Sequence, residues 1–168
     1  MGYPSAADVR LAVAFGPSDG ALIHSEMGIF SSPGTINYGT VYSFSCWIFQ
    51  AYEYNTLWSN GTTGASYLYN CYSGVMIHKP LTANVQVAFT YPGMTWFHFA
   101  LTRDGTAVKF YINGVQRGVT QTLSANQNYS ADRVTTTSLS NNAKGRLDEF
   151  AAWSRVLTDS EISDLYNS

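Results

Sequence analysis

Residues 96–114 read Trp96-Phe-His-Phe-Ala-Leu-Thr-Arg-Asp-Gly-Thr-Ala-Val-Lys-Phe-Tyr-Ile-Asn-Gly114, and this stretch decides the fold. Up to Thr102 its side chains alternate, which is typical of a half-buried strand. Asp104-Gly105 separates this run from a second one over 108–112, and Asp-Gly in that place predicts a hairpin turn with positive φ at both central residues. Asn113-Gly114 begins a second turn into a third strand, from about residue 115 to residue 120. The stretch therefore predicts an antiparallel meander.

The segment 41–49 extends the pattern towards the N-terminus. It alternates small polar with large apolar side chains, so the two sets of apolar residues are expected on opposite faces of one strand. Phe44, Cys46 and Ile48 form the first set, and Trp47 and Phe49 form the second.

Strand and helix signals also mark the C-terminal part of the chain. Residues 67–72 and 147–153 are predicted to form strands, and Thr158 with Glu161 forms a capping box that predicts a short helix. One apolar stripe runs along that helix, formed by Ile162, Leu165 and Tyr166. Many short strands with little helix predict an all-β fold: a two-sheet antiparallel β-sandwich of jelly-roll type with a short C-terminal helix. We assign residues 1–21 to an N-terminal arm and 22–168 to the sandwich domain.

The composition excludes several classes of protein. The chain has 9 Phe, 4 Trp and 12 Tyr against 9 basic and 11 acidic residues, so aromatic residues outnumber charged ones. With 45% hydrophobic residues the chain is not disordered. A net charge of −2 gives no basic footprint for nucleic acid. No apolar run approaches the roughly 20 residues of a membrane helix, so membrane insertion is not expected.

Two cysteines, Cys46 and Cys71, are too few for a disulfide framework and lack the spacing of a metal site. Two buried thiols are the favoured interpretation, and one bridge is the alternative. The N-terminus lacks a basic region followed by an apolar one, so export by a secretory signal is not expected.

Three segments together resemble the laminin G-like jelly-roll domains of the concanavalin A-like lectin/glucanase superfamily. They are Tyr42–Ile48, Trp96–Gly114 and Gly145–Ile162, and with them the resemblance covers roughly residues 22 to 167. The resemblance implies the concanavalin A-like jelly roll. The opening segment, residues 3–17, is similar to one seen in structural proteins of tailed bacteriophages. That likeness implies a virion protein at the particle surface, with an extracellular location as the alternative.

Catalysis is not expected, because the carboxylate triplet E-x-D-x-x-E of the superfamily's glucanases is absent from the sequence. Glycosidases need two acids across the scissile bond. Asp148 and Glu149 are neighbours on a predicted strand, so their side chains are expected on opposite faces. His98 lies within a strand and is interpreted as structural.

Asp148 is also a candidate metal ligand. The resemblance implies that Asp148 is a ligand of a structural Ca²⁺, as the aspartate at the equivalent position is in many relatives. Glu26 and backbone carbonyls near Gly28 are the candidates for the other ligands. The alternative is that Asp148 accepts hydrogen bonds from turn amides.

Aromatic side chains in loops provide a second candidate site. Tyr and Trp rings stack on sugar faces and hydrogen-bond through their polar tips. The rings of Tyr52, Tyr54, Trp58 and Tyr91 are therefore candidates for binding a glycan. The alternative is that they fill the sandwich or a protein interface.

The sequence thus predicts a non-catalytic attachment module on a phage particle that binds a glycan of the host surface. A structural capsid decoration protein is the alternative, and a carbohydrate-binding module detached from a glycan-degrading enzyme is a third reading. The expected partners are a glycan or phage capsid and tail proteins. Homo-oligomerisation stays open, because the sequence carries no coiled-coil signal.

Overall fold

A computed structural model describes residues 9–12, 22–24, 30–50, 55–60, 66–72, 74–90, 92–93, 95–134 and 145–168. The strands are β1 (Val9–Ala12), β2 (Leu22–His24), β3 (Phe30–Gly39), β4 (Val41–Gln50), β5 (Asn55–Asn60), β6 (Ser66–Tyr72), β7 (Val75–Lys79), β8 (Val85–Ala88), β9 (Trp96–Asp104), β10 (Ala107–Ile112), β11 (Val115–Thr122), β12 (Tyr129–Val134) and β13 (Gly145–Trp153). The helix α1 spans Asp159–Asn167.

The strands form two sheets. The larger has the order β1-β13-β4-β9-β10-β11, with β2 also paired to β13, and the smaller has the order β3-β12-β5-β6-β7-β8. Neighbouring strands run antiparallel, as in the β13–β4, β4–β9 and β9–β10 pairs. The predicted two-sheet antiparallel sandwich is confirmed, and β1 lies at one edge of the larger sheet.

The meander forms where it was predicted, but the geometry of its first turn differs. Asp104 pairs with Ala107, so the two loop residues are Gly105 and Thr106. Among the described non-glycine residues only Asn113 and Glu149 have positive φ, so the expectation of positive φ at Asp104 was wrong. Positive φ at the first loop residue alone is the pattern of a type II′ turn. The next turn, with φ of 50° at Asn113 and 77° at Gly114, has the doubly positive pattern.

The core lies between the two sheets and confirms the alternation expected for β4. Phe44, Cys46 and Ile48 are buried in it, whereas Trp47 and Phe49 on the opposite face are partly exposed. Cys46 is a free, buried thiol, so the interpretation without a bridge to this residue is confirmed. Burial in apolar surroundings raises the pKa of that thiol well above its usual range.

A polar network crosses the core around Arg103, whose side chain is fully buried. Its Nε donates to the Gly105 carbonyl at 2.7 Å and its Nη1 donates to the Tyr42 hydroxyl at 3.2 Å. The Tyr42 hydroxyl lies 2.8 Å from Nε2 of His78, and Nδ1 of His78 lies 3.0 Å from the Leu68 carbonyl. A carbonyl can only accept, so Nδ1 of His78 carries the proton and Tyr42 donates to Nε2. Burial and the nearby Arg103 guanidinium lower the pKa of His78 to about 3.

Helix α1 covers part of the outer face of the larger sheet. The Thr158 hydroxyl accepts from the Glu161 amide, and the Glu161 carboxylate accepts from the Thr158 amide, so the predicted capping box is confirmed. Ile162 packs in a second apolar cluster with Tyr111 and Trp153 of the sheet. The Asp159 carboxylate accepts from the Tyr111 hydroxyl at 2.6 Å. These contacts fix the first turn of α1 on the sheet.

No helix in the described part of the chain has the length and apolar character needed to cross a bilayer.

Candidate functional site

The outer face of the larger sheet carries a row of side chains beside the end of α1. Register places Asp148 of β13 opposite Trp47 of β4, and Trp47 opposite His98 of β9. In the next row Phe49 lies opposite Trp96. Their neighbours along β4 and β9 point into the core, so strict alternation directs these aromatic side chains outwards.

The rings of this row contact one another. The Tyr166 ring, from the last turn of α1, lies 5.7 Å from the Trp47 ring at an interplanar angle of 31°. The His98 ring lies 5.5 Å from Trp47 and 6.0 Å from Tyr166. Phe49 supports Trp96 at 5.7 Å. Each ring is therefore held in place by a neighbouring ring, which reduces the entropy lost when a ligand binds.

These side chains surround a cleft of about 420 Å³. Its lining is formed by Trp47, Trp96, Asp148, Glu149, Tyr166, Asn167 and Ser168. The volume falls within the range of roughly 300–1,000 Å³ that small-molecule sites occupy. We call this site the outer cleft.

A β-bulge brings two adjacent acids to the outer cleft. The pairing of β13 with β4 shifts between Asp148 and Ala151, and Glu149 has a φ of 49°. The bulge breaks the alternation, so both Asp148 and Glu149 line the cleft. The expectation that their side chains lie on opposite faces was therefore wrong. Asp148 Oδ1 accepts from the Glu149 amide at 2.8 Å, which is a hydrogen bond within the bulge of β13 and not one from a turn.

The charge around the outer cleft is one-sided. Among the described residues that line it are two side-chain carboxylates and no lysine or arginine. Within the described residues, neither Asp148 nor Glu149 forms an ion pair. Glu149 is exposed and Asp148 is half-buried, so both are accessible to a ligand.

His98 lies beneath the rings and is buried, which agrees with the structural role predicted for it. Its Nε2 bonds the Ser45 hydroxyl at 2.7 Å, whereas its Nδ1 is a buried polar atom without a partner in the described structure. Burial lowers the pKa of His98 to about 4, so the ring is neutral at neutral pH. A buried nitrogen without a hydrogen-bond partner lowers the free energy of unfolding, because its lost hydration is not replaced.

Most of the residues that the sequence predicted as sites fall outside the described structure. Tyr52, Tyr54, Tyr91 and Glu26 lie in segments that are not described. Trp58 lies in β5 of the smaller sheet, but its side chain is not described. Both the glycan site on these four rings and the Ca²⁺ site therefore stay predictions. No group of three or more His, Cys, Asp or Glu side chains suited to a metal ion occurs among the described residues.

The outer cleft itself was missed by sequence reasoning. The alternation in 41–49 placed Trp47 and Phe49 outside the core, and the helical stripe included Tyr166. What the sequence lacked was a sign that the end of α1 reaches Trp47. A partly exposed pair of tryptophans on adjacent strands was the signal that could have been followed.

Comparison with known proteins supports the fold assignment. The family model of the concanavalin A-like lectin/glucanases superfamily matches residues 23–163. No curated protein matches the sequence.

Several solved structures share the fold. Domain 4 of an extracellular arabinanase from Geobacillus stearothermophilus, solved with arabinotriose, has 20% identity and a TM-score of 0.61, covering 91% of this chain and 79% of that one. A botulinum neurotoxin type C structure, described in connection with cell entry that depends on interaction with two ganglioside molecules, has 15% identity and a TM-score of 0.62. The binding domain of botulinum neurotoxin DC with rat synaptotagmin II has 15% identity and a TM-score of 0.61.

Each of the two neurotoxin matches covers 96% of this chain and 51% of the other, so this chain spans about half their length. At such identities these likenesses show the fold alone. The family match over most of the chain, together with the two antiparallel sheets, means that the chain belongs to the concanavalin A-like lectin/glucanases superfamily.

Proposed function

We propose that this domain is a non-catalytic glycan-binding module and that the outer cleft is its sugar site. The observation that carries the proposal is the grouping of Trp47, Trp96 and Tyr166 around one cleft that also contains carboxylates. Aromatic faces pack on the C–H faces of sugars, while carboxylate oxygens accept hydrogen bonds from sugar hydroxyls. The cleft offers both kinds of contact within a volume that suits a short saccharide.

The related structures support a binding role. The arabinanase domain was solved with arabinotriose, and the neurotoxin is described as interacting with gangliosides. Because two structures with this fold are described with sugars, we favour binding over hydrolysis as the role of the cleft. The detached carbohydrate-binding module considered above would use the same cleft in the same way.

Substitution of Trp47 by alanine tests the proposal. We expect Trp47→Ala to weaken binding to a glycan identified on an array by about tenfold, since aromatic contacts contribute about 0.5–1.5 kcal/mol beyond their buried area. Val119→Ala is the matched control, because Val119 is 75% exposed on the distant edge strand β11. Trp58→Ala distinguishes the outer cleft from the site predicted around residues 52–58. Unchanged affinity in Trp47→Ala, or a loss confined to Trp58→Ala, contradicts the placement.

The proposed setting is the surface of a phage particle, where the domain attaches to a host-surface glycan. The similarity of residues 3–17 to an opening segment of phage structural proteins supports this setting. Immunogold labelling of purified particles tests it, and absence of the protein from particles contradicts it.

A structural role as a capsid decoration protein is the second candidate. Val115 and Val119 on the edge strand β11 are 70% and 75% exposed, and exposed apolar side chains on a sheet edge favour contact with another protein. This role predicts that particles lacking the protein lose heat stability. Unchanged particle stability excludes it.

A further inference from the structure

We infer that the outer cleft selects glycans that carry a free, protonated amino group, such as an amino sugar without N-acetylation. The inference rests on the proposed glycan-binding function and names the sugar class that the same site takes. It follows from three features of the cleft: the type of its rings, the sign of its charges and the backbone that presents the acids.

The rings are suited to a cation. Trp47, Trp96 and Tyr166 contribute three π-faces or edges to one cleft. Tryptophan is the aromatic side chain that attracts an ammonium group most strongly, because of the negative potential over its ring face. A protonated amine attached to a stacked sugar gains this attraction, whereas a hydroxyl at the same position does not.

The acidic side chains of the outer cleft also favour a ligand that carries an ammonium group. Asp148 and Glu149 line the cleft without an ion-pair partner among the described residues. The Glu149 amide occupies one carboxylate oxygen of Asp148, which leaves the other oxygen and the whole Glu149 carboxylate for a ligand. A carboxylate paired with an ammonium group forms a charge-assisted hydrogen bond, which is stronger than a neutral one. The same carboxylates repel sialic and uronic acids.

No described positive charge beneath the rings cancels this field. His98 fills the space under Trp47 and Tyr166, and its ring is neutral at neutral pH because burial lowers its pKa. Arg146 pairs with Phe49 in the neighbouring row of the sheet.

The backbone at Glu149 holds an uncommon conformation that presents its side chain to the cleft. A φ of 49° is unfavourable for residues other than glycine and asparagine, and such strain persists where the surrounding structure imposes it. The bulge is what brings two consecutive acids to one cleft. Relief of the strain is therefore expected to improve stability at the expense of selectivity.

The experiment compares matched pairs of saccharides by isothermal titration calorimetry at pH 6. Oligomers of β-1,4-linked glucosamine are compared with the same oligomers of N-acetylglucosamine, in which acetylation removes the charge of the amine and adds an acetyl group. Lactose and sialyllactose provide the neutral and acidic pair. We expect the glucosamine oligomer to bind at least about tenfold more tightly than its acetylated form, and sialyllactose to bind more weakly than lactose.

Variants assign the effect to the acids. The double variant Asp148→Asn, Glu149→Gln is expected to reduce the ratio of the affinity for the glucosamine oligomer to that for the N-acetylglucosamine oligomer at least about fivefold. The affinity for neutral sugars should fall by less than the affinity for the amine, because the amide oxygens of Asn and Gln still accept hydrogen bonds from hydroxyls. Added salt is expected to reduce the preference in the wild type and not in the double variant. Glu149→Gly is expected to raise the melting temperature and to lose selectivity, which separates a ligand role from a structural one.

The outcomes separate the two proposals. If acetylated or acidic glycans bind as tightly as the amino form and Trp47→Ala weakens that binding about tenfold, the selectivity is overturned while glycan binding in the cleft stands. If the amine preference survives in the double variant, the assignment to Asp148 and Glu149 is overturned. If no saccharide binds the wild type, both the inference and the proposed function are overturned.

Discussion

Acidification to pH 4.5 is expected to destabilise the domain strongly, because two of its buried histidines are held neutral. His78 accepts from Tyr42 at Nε2 and donates to the Leu68 carbonyl at Nδ1, so a second proton on this ring would point at the hydrogen that Tyr42 now donates. It also places a positive charge beside the buried Arg103 guanidinium. The pKa of His78 is accordingly lowered from 6.5 to about 3, and burial lowers that of His98 to about 4.

The sign follows from proton binding. Below pH 6.5 the unfolded chain takes up a proton on each histidine while the folded chain does not, so the free energy of unfolding falls as the pH falls. Each pKa unit corresponds to about 1.4 kcal/mol. From pH 6.5 to 4.5 His78 thus contributes a loss of about 3 kcal/mol, and His98 up to about as much. A combined loss of about 5 kcal/mol is comparable to the whole stability of many domains.

Carboxylates contribute to the pH dependence of the free energy of unfolding only at lower pH. Hydrogen bonds from Arg155 lower the pKa of Glu161 from 4.5 to about 2, so the stabilisation by this group is complete above pH 4.5 and is lost as the pH falls towards 2. The interval between pH 6.5 and 4.5 therefore isolates the histidines.

Urea unfolding at pH 7.0, 6.0, 5.0 and 4.5, followed by tryptophan fluorescence, measures the effect. We expect the wild type to lose free energy of unfolding along a slope of up to about 2.7 kcal/mol per pH unit. His78→Gln serves as the comparison, since it is less stable at pH 7 but should show a slope about half as steep. A free energy of unfolding that stays constant from pH 7.0 to 4.5 refutes the reasoning.

Three further predictions concern the helix cap, the glycine beside Tyr166 and the predicted Ca²⁺. Thr158→Ala removes the cap of α1 and should lower the free energy of unfolding by about 1 kcal/mol in urea titrations, with Thr158→Ser near the wild type. Gly114→Ala should lower the melting temperature and weaken glycan binding. A Cβ at this position would meet the Tyr166 side chain at 3.1 Å, on a backbone with a φ of +77°. A wild-type glycan affinity in this variant would contradict the role of Tyr166 in the outer cleft. A structural Ca²⁺ held by Asp148 and Glu26 requires the melting temperature to fall on chelation, and an unchanged value excludes the ion.

Local patterns were sufficient for the regular parts of the fold. The two turns of the meander carry Gly or Asn-Gly at positions that need positive φ, and the alternation in β4 separates core from surface. The capping box at Thr158 likewise depends on residues three apart. Each of these signals lies within one element, so a single sequence reveals it.

The features that the sequence did not reveal depend on partners distant in the chain. The bulge at Glu149 arises where β13 changes its pairing with β4, and an acidic pair in a strand carries no sign of it. Arg103 occupies an inward position of β9, where a charged residue is not expected until the Tyr42 and Gln127 partners are known. The outer cleft needs α1 to end beside Trp47, which no local pattern specifies.

The indole N–H signals of the four tryptophans provide the most direct test of glycan binding in the outer cleft. Titration of ¹⁵N-labelled protein with a glucosamine oligomer should shift the signals of Trp47 and Trp96. The signal of Trp153, buried under α1, should stay in place. Shifts confined to Trp58, or no shift of any indole with any saccharide tested, would contradict the account.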